Sequence, residues 1–459
     1  MVHLRTLRKP RNHNTLPKPS QKNGMSSLSR LIRRTFSSAA SAAATTTATS
    51  VTSAKAKSLS QILYEERNLK ELVEKFKNAS LDDHFRTRND IYKVTIRRLA
   101  AARKFHYVEE ILEDQKQYKD MSAEDFNARL MNLYGIAGMF DNARKVFDEM
   151  LERNCPRTVM SLNALLGACV NSKKFDEVEG LLKGLSKELK IEPDLVSYNM
   201  VVKAFCEMGS LDSAVSLLDE MEKKGLVPDL ITFTTLLHGF YENGRVDDGE
   251  RIWDRMKEKS IEPDLITFNT LLHGFYANGR FVDGEQIWDR MKEKNVEPDN
   301  RSYGARVLGM ALEKKMKDAV KVVEEMKSRG LKLNHFIYHD LIRGFVNEDD
   351  LEEAKHWYGD IRENGCKPNR YTFETLIPFS VEKGDLAFAF ELCEHVILSK
   401  FAVKKTLIQP VVDALAKESK IKAAKELVHL GKSRRPHPYN LKLPRSSEMS
   451  SLISVFHPV

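Results

Sequence analysis

The sequence predicts an all-α fold, an α-solenoid of about ten 35-residue helix-turn-helix repeats. Three observations predict it. Residues 230–264 and 265–299 are adjacent near-copies, LITFTTLLHGFYENGRVDDGERIWDRMKEKSIEPD and LITFNTLLHGFYANGRFVDGEQIWDRMKEKNVEPD, identical at 28 of 35 positions. The same frame extends both ways, with units starting at Asn89, Glu124, Val159, Leu195, Leu230, Leu265, Asn300, His335, Arg370 and Lys405; only the unit from Val159 has 36 residues. At the twentieth position alanine recurs as Ala143, Ala214, Ala319, Ala354, Ala389 and Ala424, with Gly249 and Gly284 in the near-copies. A fixed period of this size marks a solenoid, in which a unit buries its apolar face only by stacking on its neighbours.

Within a unit the elements follow in order. Ser197, Thr232, Thr267 and Ser302 stand where a hydroxyl can accept from the orphan amides of a first helix, and are read as its N-caps. Tyr198, Val201, Val202 and Phe205 then repeat at i, i+3, i+4, i+7, the spacing of one helical face. Asn243-Gly244 and Asn278-Gly279 break the chain. Ala214, Leu217, Leu218 and Met221 repeat the spacing for a second helix. Pro193, Pro228, Pro263, Pro298 and Pro368, at the penultimate position, end that helix because proline has no amide proton to give.

The chain ends differ from the repeats. Residues 1–36 hold nine basic residues and no acid, are rich in Arg, Ser and Ala, and contain the amphipathic run Leu28 to Phe36. They are read as a mitochondrial transit peptide, and Arg34-Thr35-Phe36 before Ser37-Ser38 resembles a plant mitochondrial processing site, which implies cleavage after Phe36. Translation from Met25 and a longer presequence from Met1 both fit. Residues 37–57, rich in Ala, Thr and Ser, read as a disordered linker, 58–88 as a helical N-terminal cap, 89–439 as the repeats and 440–459 as a tail. The net charge of +8 belongs to the presequence: removing 1–36 leaves 64 of the 73 basic residues against 65 acids. The basic pI therefore says nothing for nucleic-acid binding. Five cysteines form no CxxC pair and read as small apolar residues in a reducing compartment; no run approaches the ~18 apolar residues of a membrane span.

The period, the Pro-Asp linker and the starts Leu-Val-Ser-Tyr-Asn and Leu-Ile-Thr-Phe-Asn resemble P-class pentatricopeptide repeats, over about three quarters of the chain and most strongly from Val159 to Asp299. That resemblance implies a right-handed α-solenoid superhelix whose concave first helices bind single-stranded RNA, one base per repeat. It implies that bases are read at positions 5 and 35, with an aliphatic wedge at position 2. Four units carry a familiar pair: Asn163 with Asp194, Asn199 with Asp229, Thr234 with Asp264, and Asn269 with Asp299. By the same resemblance Asn with Asp takes uracil and Thr with Asp takes guanine, giving U-U-G-U from 5′ to 3′. The remaining units (Lys93, Ala128/Thr158, Gly304/Asn334, His339/Asn369, Glu374/Lys404, Gln409) carry none. A four-base word recurs about every 256 nucleotides, too often to select one transcript.

Electrostatics point the same way. Position 13, commonly lysine in members that grip phosphate, is Asn171, Glu207, Glu242, Ala277, Leu312, Asn347 and Glu382. Residues 159–299 carry 17 basic and 26 acidic residues, much of the acid in second helices (Asp219, Glu220, Glu222, Asp254, Glu258) expected to face away from RNA. Position 9 offers Arg97, Lys203, His238, His273 and Arg343 as partial compensation, or as a solvated face. No catalytic chemistry is expected. HxE with a downstream CxxC is missing, His335 and His339 lack the glutamate of HExxH, and no phosphate loop or acidic metal cluster follows the repeats. Trp253 and Trp288, at position 24, read as core or convex surface. The segments Arg98–Phe105, Leu133–Asp141 and Leu162–Val170 resemble a plant mitochondrial subgroup that includes components of the small subunit of the mitochondrial ribosome. By that resemblance the expected function is a non-enzymatic RNA-binding helical-repeat protein of the plant mitochondrial matrix, a component of or bound to the small subunit of the mitochondrial ribosome, supporting translation. Its expected partners are single-stranded or ribosomal RNA and small-subunit proteins, with no cofactor, metal, membrane or small-molecule substrate. A free factor for one mitochondrial transcript and a protein-binding scaffold are the alternatives.

Overall fold

The computed structural model describes residues 59–118, 123–399, 403–434 and 438–444; the presequence, its processing point, Met25, the linker and residues 445–459 lie outside them. The described residues form 23 helices and no strand. Three short helices, Leu59–Glu65, Leu69–Ala79 and Asp83–Arg86, precede ten helix pairs. The first helices begin at Asn89, Glu124, Val159, Leu195, Leu230, Leu265, Asn300, His335, Arg370 and Lys405, and each packs on the first helix of the next unit. Second helices such as Leu211–Lys223 and Phe281–Glu293 pack against the first helix of their own unit and of the next, so one apolar core runs the length of the array.

The helix starts correct one expectation. The N-caps are Asp194, Asp229, Asp264 and Asp299, not the hydroxyl residues three places on. Each aspartate sits in extended backbone and its Oδ1 accepts from the backbone N–H of Ser197 (2.9 Å), Thr232 (2.9 Å), Thr267 (2.8 Å) or Ser302 (3.1 Å). A carboxylate wins this place because its charge-assisted bonds are stronger than those of a hydroxyl and the positive helix end favours an anion. The hydroxyls sit inside the first turn, and those of Ser197, Thr232 and Ser302 close capping boxes by accepting from the aspartate N–H.

One junction is built differently. Ahead of the helix from Val159 the cap is Thr158, and Glu124, the first helical residue of the preceding unit, reaches across to it. Its Oε1 accepts from the N–H groups of Thr158 (2.7 Å) and Ser161 (3.1 Å) and from the Thr158 hydroxyl (2.9 Å). Burial alone would raise the Glu124 pKa, but the bonds from Thr158 and Ser161 outweigh it and hold the carboxyl below its ordinary value. A lowered folded pKa stabilises above the unfolded value and is lost as pH falls through the folded one. Glu124→Gln is therefore expected to lower the thermal midpoint at pH 7, by an effect on the order of 1 kcal/mol. In melts run at descending pH the gap to the parent chain should close below about pH 4.

Packing between units explains the glycines of the near-copies. Tyr241 and Tyr276, at position 12, are 4% and 1% exposed, and each ring lies between glycines. A Cβ on Gly249 would fall 2.9 Å from Tyr241 and one on Gly274 2.4 Å; at Gly284 and Gly309 it would fall 2.5 and 2.2 Å from Tyr276. The glycine at position 20 and the one at position 10 of the next unit thus make room for one tyrosine. Elsewhere the pairing inverts, with Gly135 at position 12 against Ala168 at position 10. Trp253 and Trp288 are 5% and 0% exposed, so both belong to the core.

The acids of the second helices are largely used between neighbouring units. Arg255 pairs with Asp219 (2.7 Å) and Glu222 (3.0 Å), Lys259 with Glu222 (3.0 Å), Arg245 with Asp212 (2.8 Å) and Arg280 with Asp247 (3.0 Å). Exposed pairs like these contribute under about 1 kcal/mol each, but their regular spacing fixes the register of one unit on the next.

Candidate nucleic-acid interface

The four position-5 residues and the four aspartates come together, one from each side of a repeat junction. Asn163 Nδ2 donates to Asp194 Oδ1 (3.0 Å), Asn199 Nδ2 to Asp229 (3.2 Å) and Asn269 Nδ2 to Asp299 (3.0 Å). The hydroxyl of the following unit completes each set. Ser197 donates to Asn163 Oδ1 (2.6 Å), Thr232 to Asn199 Oδ1 (2.7 Å) and Ser302 to Asn269 Oδ1 (2.6 Å). At the remaining junction the Thr234 and Thr267 hydroxyls lie 2.9 Å apart, and Thr267 donates to Asp264 (2.8 Å). The third-position hydroxyls are therefore members of the candidate site that the pairwise reading passes over. Their signal is in the sequence, where a Ser or Thr stands at position 3 of every unit that follows one with a familiar pair.

This arrangement decides what the site offers chemically. Asn199, Asn269 and Thr234 are 3%, 2% and 7% exposed, so only the edge of each side chain is reachable. Each asparagine spends one N–H on the aspartate and one lone pair on the hydroxyl, keeping one donor and one acceptor for a ligand. A uracil edge carries one ring N–H donor beside carbonyl acceptors, which this pair of vacancies complements. The aspartate and the hydroxyl also hold the amide in one orientation, so the donor and acceptor sides are not interchangeable.

The ladder ends at both sides. Ala128 occupies position 5 before Thr158, and the carboxylate of Glu124 takes over the junction. At Gly304 there is no side chain, and the third position of the next unit is Ile337, 3.4 Å from where a Cβ would sit. Gln409, in the last unit, is occupied by the chain itself: Oε1 accepts from the Lys442 N–H (3.0 Å) and Nε2 donates to the Lys442 carbonyl (2.7 Å). Leu441 and Tyr439 are buried beside it, and the Tyr439 hydroxyl accepts from Val403 N–H (3.2 Å).

Position 9 supplies less positive charge than the residue types suggest. Burial pushes the imidazoles of His238 and His273 below their ordinary pKa, despite the nearby Glu242, so both are neutral at pH 7. Cationic charge in that row comes from Arg97, Lys203 and Arg343, and Lys203 is itself 8% exposed. Among the described residues no group of three or more His, Cys, Asp or Glu could hold a metal ion, and no helix is long and apolar enough to cross a membrane.

Comparison with known proteins follows the same frame. Residues 216–278 and 321–383 match the pentatricopeptide repeat domain, 129–155, 160–188, 189–222 and 301–331 the PPR repeat, and 263–311 the PPR repeat family. The small ribosomal subunit protein mS78 (rPPR3a) of Arabidopsis thaliana is 52% identical over 211 residues, 44% of this chain and 53% of that protein. The small ribosomal subunit protein mS79 (rPPR3b) of the same plant is 52% identical over 208 residues, 44% and 53% of the two chains. The chain thus spans about half the length of these curated relatives. Among solved structures, the pentatricopeptide repeat protein PPR10 in complex with an 18-nt psaJ RNA element has a TM-score of 0.57 at 17% identity, covering 81% of this chain and 59% of that one, which shows the shared fold. With its helix pairs, its period and matches running almost unbroken from 129 to 383, this chain belongs to the pentatricopeptide repeat family.

Proposed function

We propose that this protein is a non-enzymatic RNA-binding solenoid of the plant mitochondrial matrix that works in translation as part of, or bound to, the small subunit of the mitochondrial ribosome. The observation that carries this reading is the 52% identity to two small ribosomal subunit proteins over 44% of this chain. In this reading residues 1–36 are removed on import, and Asn163, Asp194, Asn199, Asp229, Thr234, Asp264, Asn269 and Asp299 face the RNA. The physical chemistry agrees. Neutralising phosphates supplies most sequence-independent affinity for a nucleic acid, and here position 13 lacks lysine while two of the position-9 residues are neutral. A permanent subunit is held by many contacts at once and needs neither a long base word nor a strongly basic groove.

Sedimentation tests this directly. The tagged mature protein in a mitochondrial lysate is expected to travel with the small subunit through a gradient at salt that keeps ribosomes intact. Finding it only at the top of the gradient would overturn the ribosomal reading. If it still crosslinked to RNA there, a free transcript factor would replace that reading, and with no RNA crosslink the protein would be a scaffold for other proteins.

A further inference from the structure

The layer of second helices opens where the repeat length changes. The unit from Val159 has 36 residues, and its second helix, Phe175–Leu189, runs for 15 residues where Phe140–Glu152 and Leu211–Lys223 on either side run for 13. Between Phe175–Leu189 and Leu211–Lys223 lies a cleft of 330 Å³. Its floor is apolar, formed by Leu182, Pro193, Val201 and Leu217, and none of the eight candidate reading residues lines it. A concave apolar site of this size on a surface layer otherwise rich in charge has room for a bulky side chain from another molecule.

At other junctions side chains bridge neighbouring second helices. Arg255 reaches Asp219 (2.7 Å) and Glu222 (3.0 Å), Lys327 reaches Asp360 (3.4 Å), Arg290 lies over the Trp253 ring (5.4 Å) and the Tyr358 hydroxyl meets His395 Nδ1 at 2.6 Å. Position 24, which is Trp253, Trp288 or Tyr358 in later units, is Leu182 at the cleft. Here the charges pair within each helix instead. Lys183 is held by Glu179 (2.5 Å) and Lys224 by Glu220 (2.8 Å), while the Tyr198 hydroxyl donates to Glu220 (3.2 Å) and accepts from Lys224 (2.6 Å). Among the described residues no ion pair joins Phe175–Leu189 to Leu211–Lys223, and Lys187, exposed at the edge of the cleft, has no carboxylate partner. Three lysines against two glutamates leave one positive charge on the rim uncompensated.

We propose that this cleft docks an acidic segment of a partner protein, with one bulky apolar side chain seated on Leu182, Val201 and Leu217 and a neighbouring carboxylate bound by Lys187. An apolar anchor in a pocket, ringed by polar contacts that exclude water, is where interface energy concentrates. The charge-assisted bond to Lys187 adds to it and sets the sign of the partner. A nucleic acid suits the cleft less well, because its phosphates call for several free cations and gain nothing from an apolar floor. Docking on the second-helix layer leaves the first-helix ladder from Asn163 to Asp299 unobstructed, so a protein and an RNA can be held together.

The test is carbodiimide cross-linking, which joins a lysine amine directly to a carboxylate in contact with it. It is applied to the tagged mature protein in whichever gradient fraction holds it, so the result is separate from the ribosomal reading. Lys187 is expected to link to an Asp or Glu of another polypeptide, beside a large apolar residue. The partner so identified should then co-purify roughly tenfold less with Lys187→Glu, an exposed change that should leave the thermal midpoint in place. Leu182→Trp, which fills the cleft with the residue of the near-copies and keeps every lysine, should have the same effect; if it lowers the midpoint, Lys187→Glu decides alone. Lys321→Glu, on the exposed side of Met316–Ser328, is the control and should retain the partner. The docking site is overturned if Lys187 links only within its own chain or not at all, or if the partner stays with Lys187→Glu. Ultraviolet cross-links of RNA to residues 179–187 would overturn it too, by giving the cleft to nucleic acid.

Discussion

Gly309→Ala is expected to destabilise the protein by about 3 kcal/mol, the upper part of the range for overpacked cores. The added Cβ would lie 2.2 Å from Tyr276 Cδ1 and 2.7 Å from Cγ, and the ring has nowhere to go. It is 1% exposed, its far side meets Gly284, and its hydroxyl donates to Glu285 (2.5 Å), which is itself clamped by Arg306 at 2.9 and 2.6 Å. The first helices Leu265–Ala277 and Asn300–Leu312 must therefore separate. Denaturant unfolding and hydrogen exchange over residues 265–312 would read the loss, which should be local because solenoid units couple mainly to neighbours. In a Tyr276→Ala background the same substitution should cost almost nothing. Gly180→Ala is the control: it lies within the helix Phe175–Leu189 with nothing within 4 Å of the new Cβ, and should stabilise by up to about 1 kcal/mol. A parent-like unfolding midpoint for Gly309→Ala would show that the interlock is not what holds these units together.

The second large effect concerns RNA. Replacing Asn163, Asn199 and Asn269 together by Ala removes three amides, each with one donor and one acceptor left for a base. At roughly 1 kcal/mol for each lost edge contact, affinity for a U-U-G-U strand should fall about 100-fold. Binding to a homopolymer of adenosine should hardly change, which separates lost reading from lost phosphate contact. Thr234→Asn is the complementary change, converting the third reading position to the pattern of the other three; it should move preference there from guanine to uracil. Because these amides also bond to the helix-capping aspartates, thermal midpoints must be recorded in parallel. Unchanged affinity in a folded triple variant would remove these residues from the interface.

Much of the architecture is legible from the one-dimensional pattern because the solenoid is itself nearly one-dimensional. The 35-residue period, the paired i, i+3, i+4, i+7 faces and the penultimate prolines place both helices of each strong unit. Placement of the cap fails by three residues, at Ser197 and its equivalents, because propensity treats Asp and Ser as near equals at a helix start. Local sequence does not say which of them stands at the extended residue. The substitution of glycine for alanine at position 20 is visible in the near-copies, yet its cause is a tyrosine eight residues earlier and a second glycine in the next unit. Likewise Gln409 looks like an unpaired reading position until the residues around Lys442 are seen to occupy it.

The amino-acid sequence by itself thus determined the frame of the repeats and the family, which follow from residue type at a fixed spacing, and through the family resemblance it named the eight candidate reading residues. Only the tertiary structure decided how those residues are used. It joins each asparagine to the aspartate and hydroxyl across a junction, keeps His238 and His273 neutral by burial, and leaves a cleft exposed between Phe175–Leu189 and Leu211–Lys223. The physical reason is common to all three: hydrogen-bond capacity, charge state and exposure belong to the contact between two repeats, and neither repeat carries them alone.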